Sequence, residues 1–402
     1  MGTDDALEEL LREVQPLQDR LVGLRRRFAM QPELSGEEAQ TAATIAAELR
    51  AMDIQPTVRV GGHGVVGVLE GAQSGPTIVY RADMDALPIQ DSLNRSYQSM
   101  TLGVKHACGH DVHMAVALGV ADILSRACAR LHGRVVFLFQ PAEESLDGAR
   151  AVLAEGLLQQ WPLAAVLALH AFPIPVGTIG VVSGLCLAGM DEFRVRFCAP
   201  EEMLDDLVTK ATLALEALST ANQPKSADDV GAVINQMLSG APLARTVSLS
   251  CWPHPEGHVP PYHLLGLVSI ADFSQRAAVH AQIREVLNQI VAGAEATYDL
   301  AFTFTNPPLH NDPDLINEVT PVLERVLGTS SILRFGAPYP FSHEDLALYT
   351  SEAPTALLWL GTANAERGIA SLLHTPDYDI DEAALTIGAR AMTAILWHFL
   401  RT

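Results

Sequence analysis

The hydrophobic pattern changes character along this chain of 402 residues. Over roughly the first 65 residues apolar positions recur at helical spacing, as in "EELLREVQPLQDRLVGLRRRF". "SGEEAQTAATIAAELRAM" then predicts another helix, with a serine N-cap and glutamates in its first turn. Downstream come short apolar runs without strict alternation: "GVVGVLEG", "PTIVYRADMD", "GRVVFLFQPAEE", "LAAVLALHAFP" and "PTALLWLGT". Such runs fit strands buried on both faces. Helical patterns at 112–130, 145–159 and 313–327 separate several of them, which predicts an α/β sheet covered by helices.

The middle of the chain follows another rhythm. "DEFRVRFC" alternates like a half-buried strand, and "EEMLDDLVTKATLALEALS" is an amphipathic helix. "TVSLSC" and "YHLLGLVSIAD" read as strands, "QRAAVHAQIREVLNQIVAGAEA" as a helix and "YDLAFTFT" as a last strand. That β-α-β-β-α-β order is a ferredoxin-like split unit. The expected fold is therefore an α/β domain of residues 1–189 and 306–402, with an inserted α+β lid at 190–305.

Composition narrows the function. The formal charge is −21, from 26 basic and 47 acidic residues. Binding to nucleic acid needs a basic face, so that class is excluded, and the acidity serves solubility. No apolar run approaches the roughly 20 residues that span a bilayer, so no membrane partner is expected. The acidic start "MGTDDALEELLREVQPL" lacks a signal-peptide layout, which points to the cytoplasm. The five cysteines, at 108, 128, 186, 198 and 251, are scattered and odd in number, as in a reduced protein.

The densest chemistry is "KHACGHDVHMA", residues 105–115. Other ligand-type residues follow the expected strands. "TIVY" leads to Asp83 and Asp85, "VVFLFQP" to Glu143 and Glu144, "AAVLAL" to His170, and "ALLWLG" after a loop to His374. Sites in open α/β sheets gather at the carboxyl ends of strands, so these residues are expected to converge with Cys108 and His110. Sulfur, nitrogen and carboxylate donors suit zinc, manganese, cobalt or nickel. The set Cys108, His110, Glu144, His170 and His374 exceeds what one catalytic ion needs and suffices for two. Adjacent glutamates point to opposite sides, so one can bind metal while the other acts as a general base. His106 and His113 read as helix-start residues, and Glu344–Asp345 as a helix N-terminus.

"RADMDALPIQD", "HACGHDVHMA", "FLFQPAEES", "ALHAFP" and "LLHTPDYDIDEAAL" together resemble the signature blocks of the metal-dependent amidohydrolases. That family includes N-acyl-L-amino acid amidohydrolases, hippurate hydrolases and auxin-conjugate hydrolases, in the clan of aminoacylase-1-like two-metal exopeptidases. The resemblance implies an aminopeptidase-like two-metal domain with a lid, and a homodimer through that lid. It implies that Cys108 bridges two divalent ions, with His110, Glu144, His170 and His374 as the other ligands. It makes Glu143 the general base that takes a proton from a metal-bridged water, and Asp83 the aspartate that orients a metal-binding histidine. The implied substrate is an N-acyl amino acid or related small amide.

The lid departs from the family pattern. "RFCAPEEMLDDLV" stands where the family carries a glycine-rich segment with an oxyanion-stabilising histidine. His258 stands where a substrate-holding asparagine is expected, Ser269 near the place of an arginine, and Ala29 where a histidine is common. An oxyanion donor is worth about 10²–10³ in turnover, and His254, His258 or His263 could supply one from a rebuilt lid. The alternatives are a specialised biosynthetic deacylation or amide-forming reaction at the same centre, and a non-catalytic binding relative.

Overall fold

The computed structural model describes residues 3–253 and 262–401. The chain opens with α1 (Thr3–Arg12), α2 (Gln18–Met30) and α3 (Ala39–Ala51), followed by β1 (Pro56–Val60), β2 (Gly64–Glu70) and β3 (Gln73–Asp83). Next come α4 (His110–Ser125), β4 (His132–Gln140), α5 (Gly148–Ala154), β5 (Leu163–Pro175) and β6 (Ile179–Val182). The middle holds β7 (Gly184–Leu187), β8 (Gly189–Cys198), α6 (Glu201–Glu216), α7 (Ala227–Ser239), β9 (Val247–Pro253), β10 (Leu264–Ile270), α8 (Arg276–Val291), β11 (Thr297–Asn306) and β12 (Leu309–Asn311). The chain closes with α9 (Pro313–Leu327), β13 (Ile332–Phe335), β14 (Thr355–Ala363) and α10 (Ala384–Leu400). Among the described residues no helix is long and apolar enough to cross a membrane.

Two compact units emerge. One comprises Met1–Gly184, Asn311–Phe335 and Leu348–Thr402, the other Leu185–His310 and Gly336–Ala347. The first is built on an eight-stranded sheet in the order β1-β2-β4-β3-β5-β14-β6-β13. Strands β4, β3, β5 and β14 run parallel, so their carboxyl ends share one edge. β14 is buried over eight of its nine residues and β4 over its last six, which explains their unbroken apolar runs. Helix α4 is buried from His110 to Leu124 and shares one core with α1, α2, α9 and α10.

The second unit carries a four-stranded antiparallel sheet, β11-β8-β10-β9, whose core includes Phe193, Val195, Leu264, Val268 and Ile283. Its two edges differ. The outward side of β9 is answered by its own neighbours: Val247 N donates to Thr220 Oγ1 at 2.9 Å, Leu249 N to Ser219 Oγ at 2.9 Å and Cys251 N to Glu216 Oε1 at 3.1 Å. β11 pairs with β8 on one side and, among the described residues, meets no further strand on the other.

Three expectations change. Residues 56–60 form a strand rather than continuing the helical stretch; it is a sheet edge with three exposed residues, so no apolar run marks it. Ser35 is not a helix cap, because α3 begins at Ala39 and Ser35 Oγ donates to Asp85 Oδ2 at 2.7 Å. α7 adds a helix to the split unit. Ser226 caps it by accepting from Asp229 N, and Val230, Val233 and Met237 make its buried stripe.

Candidate metal centre

Register aligns the site. Asp83, the last residue of β3, lies opposite Gln140, the last of β4, while His170 in β5 lies opposite Trp359 in β14. Two residues past β4 the chain turns through Ala142 with φ 54°, which delivers Glu143 and Glu144. Glu38 Oε1 holds that turn by accepting from Ala142 N at 2.9 Å, and Asp85 Oδ2 accepts from Glu144 N at 2.9 Å. His374 itself has φ 59°. Left-handed non-glycine backbone costs about 1–3 kcal/mol and persists where surroundings enforce it, often at functional sites.

Gly109 places Cys108 against the start of α4. Its φ is 87°, and a Cβ there would come within 2.6 Å of Tyr378 Oη and 2.7 Å of the Ala171 Cβ. Only glycine fits both conditions without displacement.

Six predicted residues come together. Cys108 Sγ lies 3.2 Å from His374 Nε2 and 3.6 Å from His170 Nε2. Glu144 places Oε1 3.7 Å from His110 Nε2 and Oε2 3.7 Å from His374 Nε2. Glu143 Oε2 lies 3.8 Å from His110 Nε2. Ligands at about 2.0–2.3 Å around one tetrahedral ion sit roughly 3.3–3.8 Å apart, so these separations have the right scale.

The electrostatics call for cations. His110 Nε2 and Glu144 Oε1 are buried with no hydrogen-bond partner among the described residues. Burial, then the charges of Glu144, Glu143 and Asp83, push the Cys108 thiol well up. Burial pushes Glu144 up to about 7 despite nearby His110. Burial opposes the charging of His110, yet Asp83, Asp85 and Glu144 lift it to about 10. Divalent ions would relieve this concentration of negative charge and stabilise the thiolate, so the donor set fits them.

The neighbouring residues separate by their bonds. His110 Nδ1 donates to the Asp85 carbonyl at 2.9 Å, which turns Nε2 toward the cluster. Asp83 Oδ1 accepts from His113 Nδ1 at 2.5 Å and lies 3.8 Å from His110 Nε2. Burial pushes His113 down to about 3 and His106 to about 4, so both rings are neutral. Neither Asp85 nor Arg25 stood out in the sequence as a support. Arg25, buried in α2, donates to Asp111 at 2.7 Å and to Asp379 at 3.2 Å, tying the start of α4 to the segment after His374. Its only trace in the sequence is a charged residue on an otherwise inward-facing helical stripe.

Of the lid histidines only His263 is among the described residues. His254 and His258 lie outside the described residues. His263 belongs to the second unit, where its Nδ1 accepts from Phe197 N at 2.9 Å and its ring stacks on Phe197. Glu344 is also in the second unit and accepts from Leu346 N at 3.0 Å.

The model of peptidase family M20/M25/M40 matches residues 79–398. The chain belongs to that family. It is 31% identical to an N-acetylcysteine deacetylase of Bacillus subtilis, over 92% of this chain and 94% of that protein. It is 33% identical to the IAA-amino acid hydrolase ILR1-like 6 of Arabidopsis thaliana, over 94% of this chain and 79% of that one. Among solved structures, the chain resembles the YXEP protein of Bacillus subtilis, a dinuclear metal-binding peptidase of the M20 family. It superposes with a TM-score of 0.75 at 28% identity, covering 96% of this chain and 99% of that one. The M20 chain described here is thus a hydrolase of the amidohydrolase type, and the non-catalytic reading is not favoured.

Proposed function

We propose that this M20 chain hydrolyses the amide bond of an N-acyl amino acid or related small amide with two divalent cations. Cys108, His110, Glu144, His170 and His374 would hold them, with Cys108 shared. The observation that carries this is the position of Cys108 Sγ, within 3.2 Å of one imidazole nitrogen and 3.6 Å of another, beside Glu144 and His110. Zinc, manganese, cobalt and nickel all suit the donors. When bound, such ions supply a water acidic enough to act as nucleophile and polarise the scissile carbonyl.

The chain's own residues do the rest. Glu143, 3.8 Å from His110 Nε2, takes the proton of the attacking water and returns it to the leaving amine. Asp85 orients His110 through its carbonyl, and the peptide after His170 orients that ring. The substrate class is supported by the relatives, which by their names act on N-acetylcysteine and on an IAA-amino acid. Residues 190–305 would form the lid domain, inserted between residues 1–189 and 306–402 of the metal-binding domain. The five cysteines, all free, support a cytoplasmic setting. Any homodimer through the lid would use the β11 edge, since side chains already occupy the β9 edge.

The deciding experiment is a panel of N-acetyl, N-benzoyl and N-succinyl amino acids, assayed with each of the four metals. Hydrolysis of at least one class with two ions bound per chain is expected. Two bound ions without turnover of any member would sink this reading.

A further inference from the structure

Four side chains near the centre, Asp83, His110, His113 and His170, bring ligand atoms within 4.8 Å of one another. By distance alone they could hold an ion of their own, and the bonds decide otherwise. Ala171 N can only donate, and it does so to His113 Nε2 at 2.7 Å. The His113 proton must then sit on Nδ1, which donates to Asp83 Oδ1 at 2.5 Å. Both ring nitrogens are engaged, so His113 has no lone pair left for a metal.

The next bond gives this arrangement a purpose. The carbonyl of the same residue, Ala171, can only accept, and His170 Nδ1 donates to it at 2.8 Å. That bond leaves His170 Nε2 unprotonated on the side of Cys108 Sγ, 3.6 Å away. One backbone residue is therefore gripped at its amide by His113 and at its carbonyl by the candidate ligand. The grip continues inward. Arg81 Nη1 donates to Asp83 Oδ2, Arg81 Nε to Gln140 Oε1 at 3.1 Å, and Tyr349 Oη to the same Gln140 oxygen at 3.0 Å. The run from Tyr349 to His170 crosses the ends of β4 and β3 to the interior of β5, and Arg81, Asp83, Gln140, His113 and Tyr349 are all buried.

We infer that His113, clamped by Asp83, is a positioning residue that fixes the ring and tautomer of His170 through the Ala171 peptide. This rests on the two-metal reading above. His113 touches neither substrate nor ion in this role. It selects which nitrogen of His170 faces Cys108 and where, and outer partners of this kind are worth about 10–100-fold in metal affinity.

The test is competition for Zn²⁺ against a chromophoric chelator, with thermal melting in parallel, on the full chain. H113L is expected to weaken one of two ions about 10–100-fold and to leave the other within about threefold. Introduced into H170A, H113L should produce no further loss, because its effect runs through His170. A general structural role would lower the melting temperature and weaken both ions alike, and would persist in H170A; either result, or unchanged affinity in H113L, overturns the inference. D83N supplies the same reading if H113L does not fold, since it presents an amide N–H to Arg81 and loosens the clamp. If H170A binds Zn²⁺ as the unaltered chain does, the two-metal reading fails with the inference. If H170A loses an ion and H113L and D83N do not, only the inference fails.

Discussion

Two buried carboxylates, one in each unit, are treated in opposite ways. In the second unit Asp191 is fully buried and fully answered. Arg276 donates to both its oxygens at 2.7 and 3.0 Å, His280 at 2.7 Å and Thr305 at 2.6 Å. These partners hold its carboxyl below the usual range in spite of burial. In the first unit Glu144 is drawn up to about 7, and its Oε1 finds no hydrogen-bond partner among the described residues. The first carboxylate is finished by the protein, and the second is built to receive something. Burial alone therefore does not mark a functional residue; the state of its hydrogen bonds does.

The largest effect expected from this contrast is on turnover. E143Q should lower kcat about 10²–10⁴-fold while both ions stay bound, read by steady-state kinetics and metal analysis. Near-normal activity would remove Glu143 from the proton path. Next comes G109A, which forces a side chain into left-handed backbone against Tyr378 and Ala171. It should cost roughly 2–4 kcal/mol in chemical denaturation and reduce metal retention.

The two carboxylates should then differ in the sign of their pH dependence. Glu144 has a raised pKa in the fold, so the metal-free protein holds a proton there that the unfolded chain has lost. Between about pH 4.5 and 7 it should lose stability as pH rises, by at most about 1.4 kcal/mol per unit, and E144Q should remove that component. Asp191 is depressed, so its contribution is present above the unfolded value and fades as pH falls; D191N should cost about 1.5–3 kcal/mol at neutral pH without changing metal content. Equal slopes in the two variants would erase the distinction. The smallest effect is expected at His263. H263A should cost about 1 kcal/mol through the Phe197 amide and leave kcat within about twofold, whereas a hundredfold loss would return that histidine to the catalytic machinery.

Much of the first unit was legible because two local signals agreed. Unbroken apolar runs marked strands buried on both faces, and parallel packing carried the residues after them to a common edge. Cys108, His110, Glu143, Glu144, His170 and His374 could be gathered on that reasoning alone. Their supports could not, since the bonds from Asp83 to His113 and from Arg25 to Asp111 and Asp379 join positions 30 or more apart, with no shared periodicity. The second unit was harder to read. Its helix α7 carried a capping serine and an apolar stripe, but it does not belong to the six-element split pattern, and the template hid it. The histidines chosen there had no strand-end logic behind them, and His263 turned out to bond a backbone amide.

The side chains along β9 also bear on how many copies can assemble. A sheet with two receptive borders can add subunits without end, as fibres do. Thr220, Ser219 and Glu216 occupy one border of this sheet, so among the described residues that border is closed to a further strand. If two copies joined at β11, each would present its occupied side outward, and strand addition through this sheet would stop at a pair. Three side chains would thus limit growth through this sheet without help from any other contact in it.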